Sequence, residues 1–199
     1  MKLLHILIAI MNLLPASLSA QGKYDAAKIL DRAAAKVNIS KGATMNFTIQ
    51  GGKINGKGTI AVKGNKFCAR TAAATVWYDG KCQWTYNAKS DEVNIANPSA
   101  SGQQVMNPYT TLNLYKQGYT KSATATKNGY IVHLVNKKKN ISEMYLTIDK
   151  AYNLKQVKIK QGSTWITLGI SNVRNTLLPD STFRFNAKEH PDAEIIDLR

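Results

Sequence analysis

From Gly42 to Val173 the chain runs in short stretches that alternate apolar with polar residues and are broken by turn residues. A period of two is the signature of strands, and strands this closely spaced pair antiparallel with their neighbours. The first half reads as strands at Phe47–Ile49, Gly58–Lys63, Lys66–Thr71, Ala74–Tyr78, Lys81–Asn87 and Glu92–Ala96. The second reads as strands at Lys121–Thr126, Tyr130–Val135, Glu143–Ile148, Leu154–Gln161 and Thr164–Val173, with Phe183–Phe185 and Glu194–Leu198 as closing candidates. A sheet of about eleven strands cannot stay flat, so it must curl towards a half-barrel. The fold class is mainly β (α+β), one domain over residues 21–199.

Two segments interrupt the alternation. In Tyr24–Val37, Ala26, Ile29, Leu30, Ala33 and Val37 recur at spacings of three and four, with Asp25 near the start, which predicts an amphipathic helix. Ser99–Tyr119 carries Val105, Met106, Leu112, Leu114 and Tyr115 among Asn107-Pro108 and Gly118, which predicts short helical pieces between the two halves of the sheet. A single-layer sheet needs cover on its apolar side, and these two segments are the material for it.

The most aromatic hairpin is Val76–Asn87, V-W-Y-D-G-K-C-Q-W-T-Y-N. Asp79-Gly80 tolerates the positive φ of a two-residue turn. Trp84 and Tyr86 are two apart and so share a face of the sheet. The open question is whether such apolar surface is packed core or room for a guest.

Residues 1–20 have the form of a secretory signal: Lys2, the apolar run Leu3–Leu14, then Pro15 and small residues, with cleavage after Ser19 or Ala20. The run is shorter than the ~20 residues that cross a bilayer. Gln21 stands where a bacterial lipoprotein would need cysteine, so export without a lipid anchor is expected.

The formal charge is +15, from 27 Lys+Arg against 12 Asp+Glu. Export removes nucleic acid as the partner such a charge would otherwise suggest. Lys158 and Lys160 alternate in a strand and Lys137–Lys139 sit in a turn, the pattern of a solvated face. The sharper reading is a docking face for acidic partners or lipid headgroups.

No catalytic or metal-binding constellation emerges. Gly51, Gly56 and Lys57 fall at the spacing of a phosphate-binding loop, but Gly58 replaces its Ser/Thr and a strand follows in place of a helix. His133 and His190 have no partner at ligand spacing, and the adjacent Asp91-Glu92 would face opposite ways in a strand. Cys68 and Cys82 lie about two strand spacings apart, near 10 Å, beyond disulfide reach, and are expected as free thiols. The chain reads as a non-enzyme that needs no cofactor and no metal.

W-Y-D-G-K-x-x-W-x-Y-N (Trp77–Asn87) resembles the D-G-K-x-x-W-x-Y hairpin of the LolA family, the periplasmic carriers of outer-membrane lipoproteins. G-T-I-A-V-K-G-N-K-F (Gly58–Phe67) is similar to that family's G-x-L-x-V-K-R-P-x-x-F, and Asn107-Pro108 and the closing Phe183–Arg199 also fit. The resemblance implies a half-open β-barrel with a helical lid, acting as a monomer in the periplasm of a Gram-negative bacterium. It would take the acyl chains of lipidated proteins from an inner-membrane lipoprotein-releasing transporter and deliver them to an outer-membrane acceptor. The family arginine after the V-K strand, which helps hold the lid, has Gly64 near its place here. Lys63, Lys66 and Arg70 are the candidate substitutes, although lysine lacks the guanidinium fork.

On this reading the acyl-chain cavity is lined by Phe47, Ile49, Ile60, Val62, Phe67, Trp84, Tyr86, Val93 and Ile95. Met106, Leu112 and Leu114 face it from the lid. Strand parity decides that set, and a one-residue slip exchanges it for its complement. The alternative function on the same fold is a periplasmic binding or sensor module for another lipid or hydrophobic ligand.

Overall fold

A computed structural model describes residues 24–52, 54–98 and 107–199. The proposed signal at 1–20 and the lid candidate Met106 lie outside them. Helix α1 (Ala26–Ala35) lies within the predicted Tyr24–Val37 and starts after Asp25, whose carboxylate accepts from the backbone N–H of Ala27 and Lys28 at 3.0 and 3.2 Å. Its predicted stripe, Ala26, Ile29, Leu30 and Ala33, is buried.

Twelve strands form one sheet. They are β1 (Ala43–Gly51), β2 (Ile54–Lys63), β3 (Lys66–Thr71), β4 (Ala74–Tyr78), β5 (Gln83–Asn87) and β6 (Glu92–Ala96), then β7 (Thr120–Thr126), β8 (Gly129–Val135), β9 (Ile141–Asp149), β10 (Leu154–Gln161), β11 (Thr164–Asn175) and β12 (Glu194–Asp197). The order across the sheet is β12-β6-β5-β4-β3-β2-β1-β11-β10-β9-β8-β7. Two antiparallel meanders are thus joined where β1 meets β11, and β12 alone runs parallel to its neighbour, β6.

Bulges help bend the sheet. One extra residue on β11 interrupts its register with β1 between Thr44 and Asn46, and Asn172 there has φ 52°. Two more irregularities fall between β9 and β10. Each adds local twist and bend, which a curved open sheet requires.

Three sequence expectations need correction. Asp79-Gly80 is not a two-residue turn: Tyr78 pairs with Gln83, leaving a four-residue loop. The Asp79 carboxylate organises it by accepting from the N–H groups of Lys81 and Cys82 at 3.0 and 2.9 Å. The glycine-rich stretch after Gly51 is a tight turn at Gly51-Gly52, both at positive φ, and β2 begins already at Ile54. Phe183–Phe185 is no strand; Asp180–Phe183 is a 3-10 turn that docks on the sheet. The closing candidate Glu194–Leu198 is borne out as β12, which brings the sheet to twelve strands among the described residues.

The helical cover is α1 together with α2 (Pro108–Thr111) and the 3-10 turn Leu114–Gln117. Asn107 caps α2, with Pro108 in its first turn, where a missing N–H costs nothing. One large core joins these pieces to the sheet. A smaller one, around Cys68, Trp77, Leu178 and Phe183, lies on the opposite side under the C-terminal segment.

Candidate functional site: an apolar sheet face under two helical pieces

Cross-strand pairs share a face, so each side of the sheet can be followed by register. The helix-covered side runs Met45–Ile60–Ala69–Val76–Thr85–Asn94 across β1 to β6. Beside that row lie Ala43, Val62, Phe67 and Tyr78, and Phe47 pairs with Ile170 of β11. Beyond β11 the same side continues through Leu168, Val157, Leu146 and Val132.

Five of the nine predicted sheet residues are brought together here. Phe47, Ile60, Val62 and Phe67 are buried, at 7, 4, 0 and 0% exposure, and Ile49 packs half-buried beside them. Leu112 and Leu114 close over them from the lid, fully or nearly fully buried, with Tyr109 and Tyr119. The Phe67 and Tyr78 rings meet at 5.4 Å.

Trp84, Tyr86, Val93 and Ile95 are on the other side. Ala61 pairs with Cys68, Cys68 with Trp77, Trp77 with Trp84 and Trp84 with Ile95, and Tyr86 pairs with Val93. These residues form the outer face, where Leu178, Phe183 and Phe185 cover the aromatic hairpin. His190 packs on Tyr86, its ring tilted and 4.1 Å away, and meets Trp77 edge-on. Aromatic bulk in β5 packs against the C-terminal segment and not the helical cover, so the nine sheet residues divide between the two faces.

Polar contacts fasten each layer. The lid is tied to the β2–β3 turn by the Asn107 amide, whose Nδ2 donates to the Gly64 carbonyl at 3.1 Å while its Oδ1 accepts from the Tyr109 N–H. Lid and α1 are joined by Tyr115, whose hydroxyl donates to the Asp31 carboxylate at 2.7 Å, with Lys116 3.5 Å from the same oxygen. That hydrogen bond, aided by partial burial and the nearby charge, pushes the Tyr115 hydroxyl up to about 12. Tyr119 donates to the Ile141 carbonyl.

On the outer side Lys63 and Lys66 grip the Asp180 carboxylate at 3.0 and 2.8 Å, and Lys63 also donates to the Leu178 carbonyl. The lysines beside Gly64 therefore hold the C-terminal segment, and Arg70 lies over the Trp77 ring. Among the described residues these three side chains reach the C-terminal segment and the Trp77 ring, and the turn meets the lid through the Gly64 backbone carbonyl. The two lysines hold the Asp180 carboxyl down at about 2.

Cys68 and Cys82 are both free and buried, and burial pushes both thiols up. His133 hydrogen-bonds Glu143 at 2.9 Å and stacks on Tyr145, so it serves the outer face of the second meander. Among the described residues no group of three or more His, Cys, Asp or Glu side chains is placed to hold a metal. No helix among them is long and apolar enough to cross a membrane.

A curved open sheet with one apolar face under short helical pieces is a half-open β-barrel of the lipoprotein-carrier type. Residues 16–163 match the family described as outer membrane lipoprotein carrier protein LolA, and the chain belongs to that family. The matched span stops before β11, so the C-terminal segment lies outside it. An uncharacterised conserved protein from Thermus thermophilus shares the fold, with TM-score 0.54 and 16% identity over 85% of this chain and 97% of that one. A LolA superfamily protein from Nitrosomonas europaea aligns with TM-score 0.47 and 12% identity over 81% and 98%. A putative outer membrane lipoprotein-sorting protein domain from Vibrio parahaemolyticus aligns with 0.44 and 10% over 80% and 97%. No curated protein matches the chain.

Proposed function

We propose that this protein is a periplasmic carrier that takes up the acyl chains of lipoproteins between the sheet and its helical cover and moves them from the inner to the outer membrane. The observation that carries the reading is the apolar face from β4 to β8, covered among the described residues by α1 and the Asn107–Gln117 segment. Phe47, Ile49, Ile60, Val62 and Phe67 form its floor in β1–β3, with Tyr109, Leu112 and Leu114 as the seal.

Those positions are filled by the protein's own side chains, so uptake is an exchange. Burying a methylene is worth about 0.8 kcal/mol, and an acyl chain entering under the lid recovers the burial that Leu112 and Leu114 give up. Exchange of like for like leaves a small net free energy, which suits a carrier that must also release its load. An inner-membrane transporter as donor and an outer-membrane acceptor follow from this reading.

The test is native mass spectrometry after mixing with a triacylated lipoprotein in detergent and removing the detergent. A soluble one-to-one complex with the triacylated form, absent with the same polypeptide unacylated, is the expected result. Retention of free lipid or another apolar compound, with lipoprotein excluded, would replace the carrier by a binding module on the same fold.

A further inference from the structure

Among the described residues no element covers the outer face of the second meander, whereas the C-terminal segment packs on that of β3–β5. Across it His133, Tyr145 and Trp165 form an aromatic stripe on β8, β9 and β11, with rings 4.3 and 5.8 Å apart. Lys158 and Lys160 of the intervening β10 place their ammonium groups over Trp165 at 4.9 and 5.7 Å. Glu143, the carboxylate inside the stripe, is occupied by His133, the Tyr145 hydroxyl and Lys160. Next to it a groove of about 490 Å³ crosses β2, β1, β11 and β10, lined by Lys57, Lys155 and uncharged side chains, with no carboxylate.

We propose that this outer face is a docking surface for anionic phospholipid bilayers. Trp165 and Tyr145 would sit at headgroup level, where amphipathic rings are at home, with Lys57, Lys155, Lys158 and Lys160 against the phosphates. The chemistry favours a lipid surface over a folded acidic partner. The lysines lie along a broad open face on flexible stems, a spread that suits many mobile phosphates better than one buried anchor. The stripe also begins one strand from β7, the free edge of the sheet, so docking there brings an open edge of the half-barrel to the bilayer. The surface is separate from the helix-covered face, so it stands or falls independently of what that face carries.

The probes are vesicles of phosphatidylcholine alone and of phosphatidylcholine with phosphatidylglycerol, read by co-flotation at low and high salt. Wild type is expected to float with the anionic vesicles only, and less at high salt. Each lysine at an anionic surface is worth about fivefold in affinity, so Lys158→Glu with Lys160→Glu is expected to weaken binding at least about tenfold. Lys137→Glu with Lys139→Glu, an equal charge change in the β8–β9 turn, is expected to weaken it far less. Trp165→Ala is expected to reduce binding without changing its salt dependence. Circular dichroism and the lipoprotein complex of the preceding section report whether each variant is folded. Equal losses from both lysine pairs would overturn the proposal, because net charge alone would then explain binding. So would no flotation of wild type, including the case in which it binds an acidic polypeptide through Lys158 and Lys160 instead.

Discussion

The Asn107 side chain joins two layers of the protein: Nδ2 donates to the Gly64 carbonyl at 3.1 Å and Oδ1 caps α2 at Tyr109. Both halves of one amide are used, and the residue is 1% exposed. Gly64 has φ 58° and its own N–H bonds the Ile39 carbonyl at 2.7 Å, which fixes the direction of the carbonyl that Asn107 reads.

Asn107→Ala strips a cap, leaves the buried Tyr109 N–H without its acceptor and frees the Gly64 carbonyl. A loss of about 1–3 kcal/mol is expected from urea unfolding. Dye binding to exposed apolar surface should rise under native conditions, because the tether lost is the one over the sheet. An unchanged dye signal alongside the stability loss would mean that the amide caps the helix without holding the lid.

Tyr115 and Asp31 form the second fastening. The Tyr115 hydroxyl is raised to about 12 from the ordinary tyrosine value near 10. A raised group contributes stability that is fully present below its unfolded value and lost as pH climbs through its folded one. The stability difference between wild type and Tyr115→Phe should therefore hold up to about pH 10 and shrink towards pH 12. Comparing the pair subtracts the other tyrosines, and a difference that persists unchanged to high pH would refute the latch.

Asp180 behaves in the opposite sense. Lys66 and Lys63 hold it at about 2, so its contribution is present above about pH 4 and is lost as pH falls towards 2. Asp180→Asn should release the C-terminal segment from the outer face at neutral pH. The readout is thiol labelling of Cys68, which lies buried in the cluster with Leu178 and Phe183. Faster labelling in the variant is expected, and wild type should approach it in acid once rates are corrected for thiolate content.

Phe67 is fully buried on the helix-covered face and touches Tyr78. Phe67→Ala should cost about 3–5 kcal/mol by calorimetry or urea unfolding, the range for a large aromatic removed from a packed core. Added acylated cargo should recover part of that loss in proportion to its occupancy. No recovery would argue that the floor around Phe67 is permanent core.

Much of the fold was legible. The alternation between Lys66 and Ala96 marked β3, β4 and β6 to the residue, because turn residues at Gly64-Asn65, Asp79-Gly80 and Asn87–Asp91 bracket a period of two. The α1 stripe was equally plain, since one helical face has one burial partner. Parity in β5 and β6 was not legible: Trp84 and Tyr86 differ from Gln83 and Thr85 by bulk, and bulk is buried on both sides of this sheet. Only the docking of residues 177–190, far along the chain, decides which face the tryptophan takes. Asn107-Pro108 signalled a helix start, yet its tether to Gly64 joins positions 43 apart and left no local trace.

A lipoprotein carrying a photoactivatable group on an acyl chain, crosslinked in its complex with the protein and mapped by peptide mass spectrometry, tests the central claim most directly. Crosslinks to Phe47, Ile60, Val62 or Phe67 together with Leu112 or Leu114 are the predicted outcome. Crosslinks concentrated on Trp77, Trp84 or Tyr86 would place the acyl chain on the outer face and contradict the account.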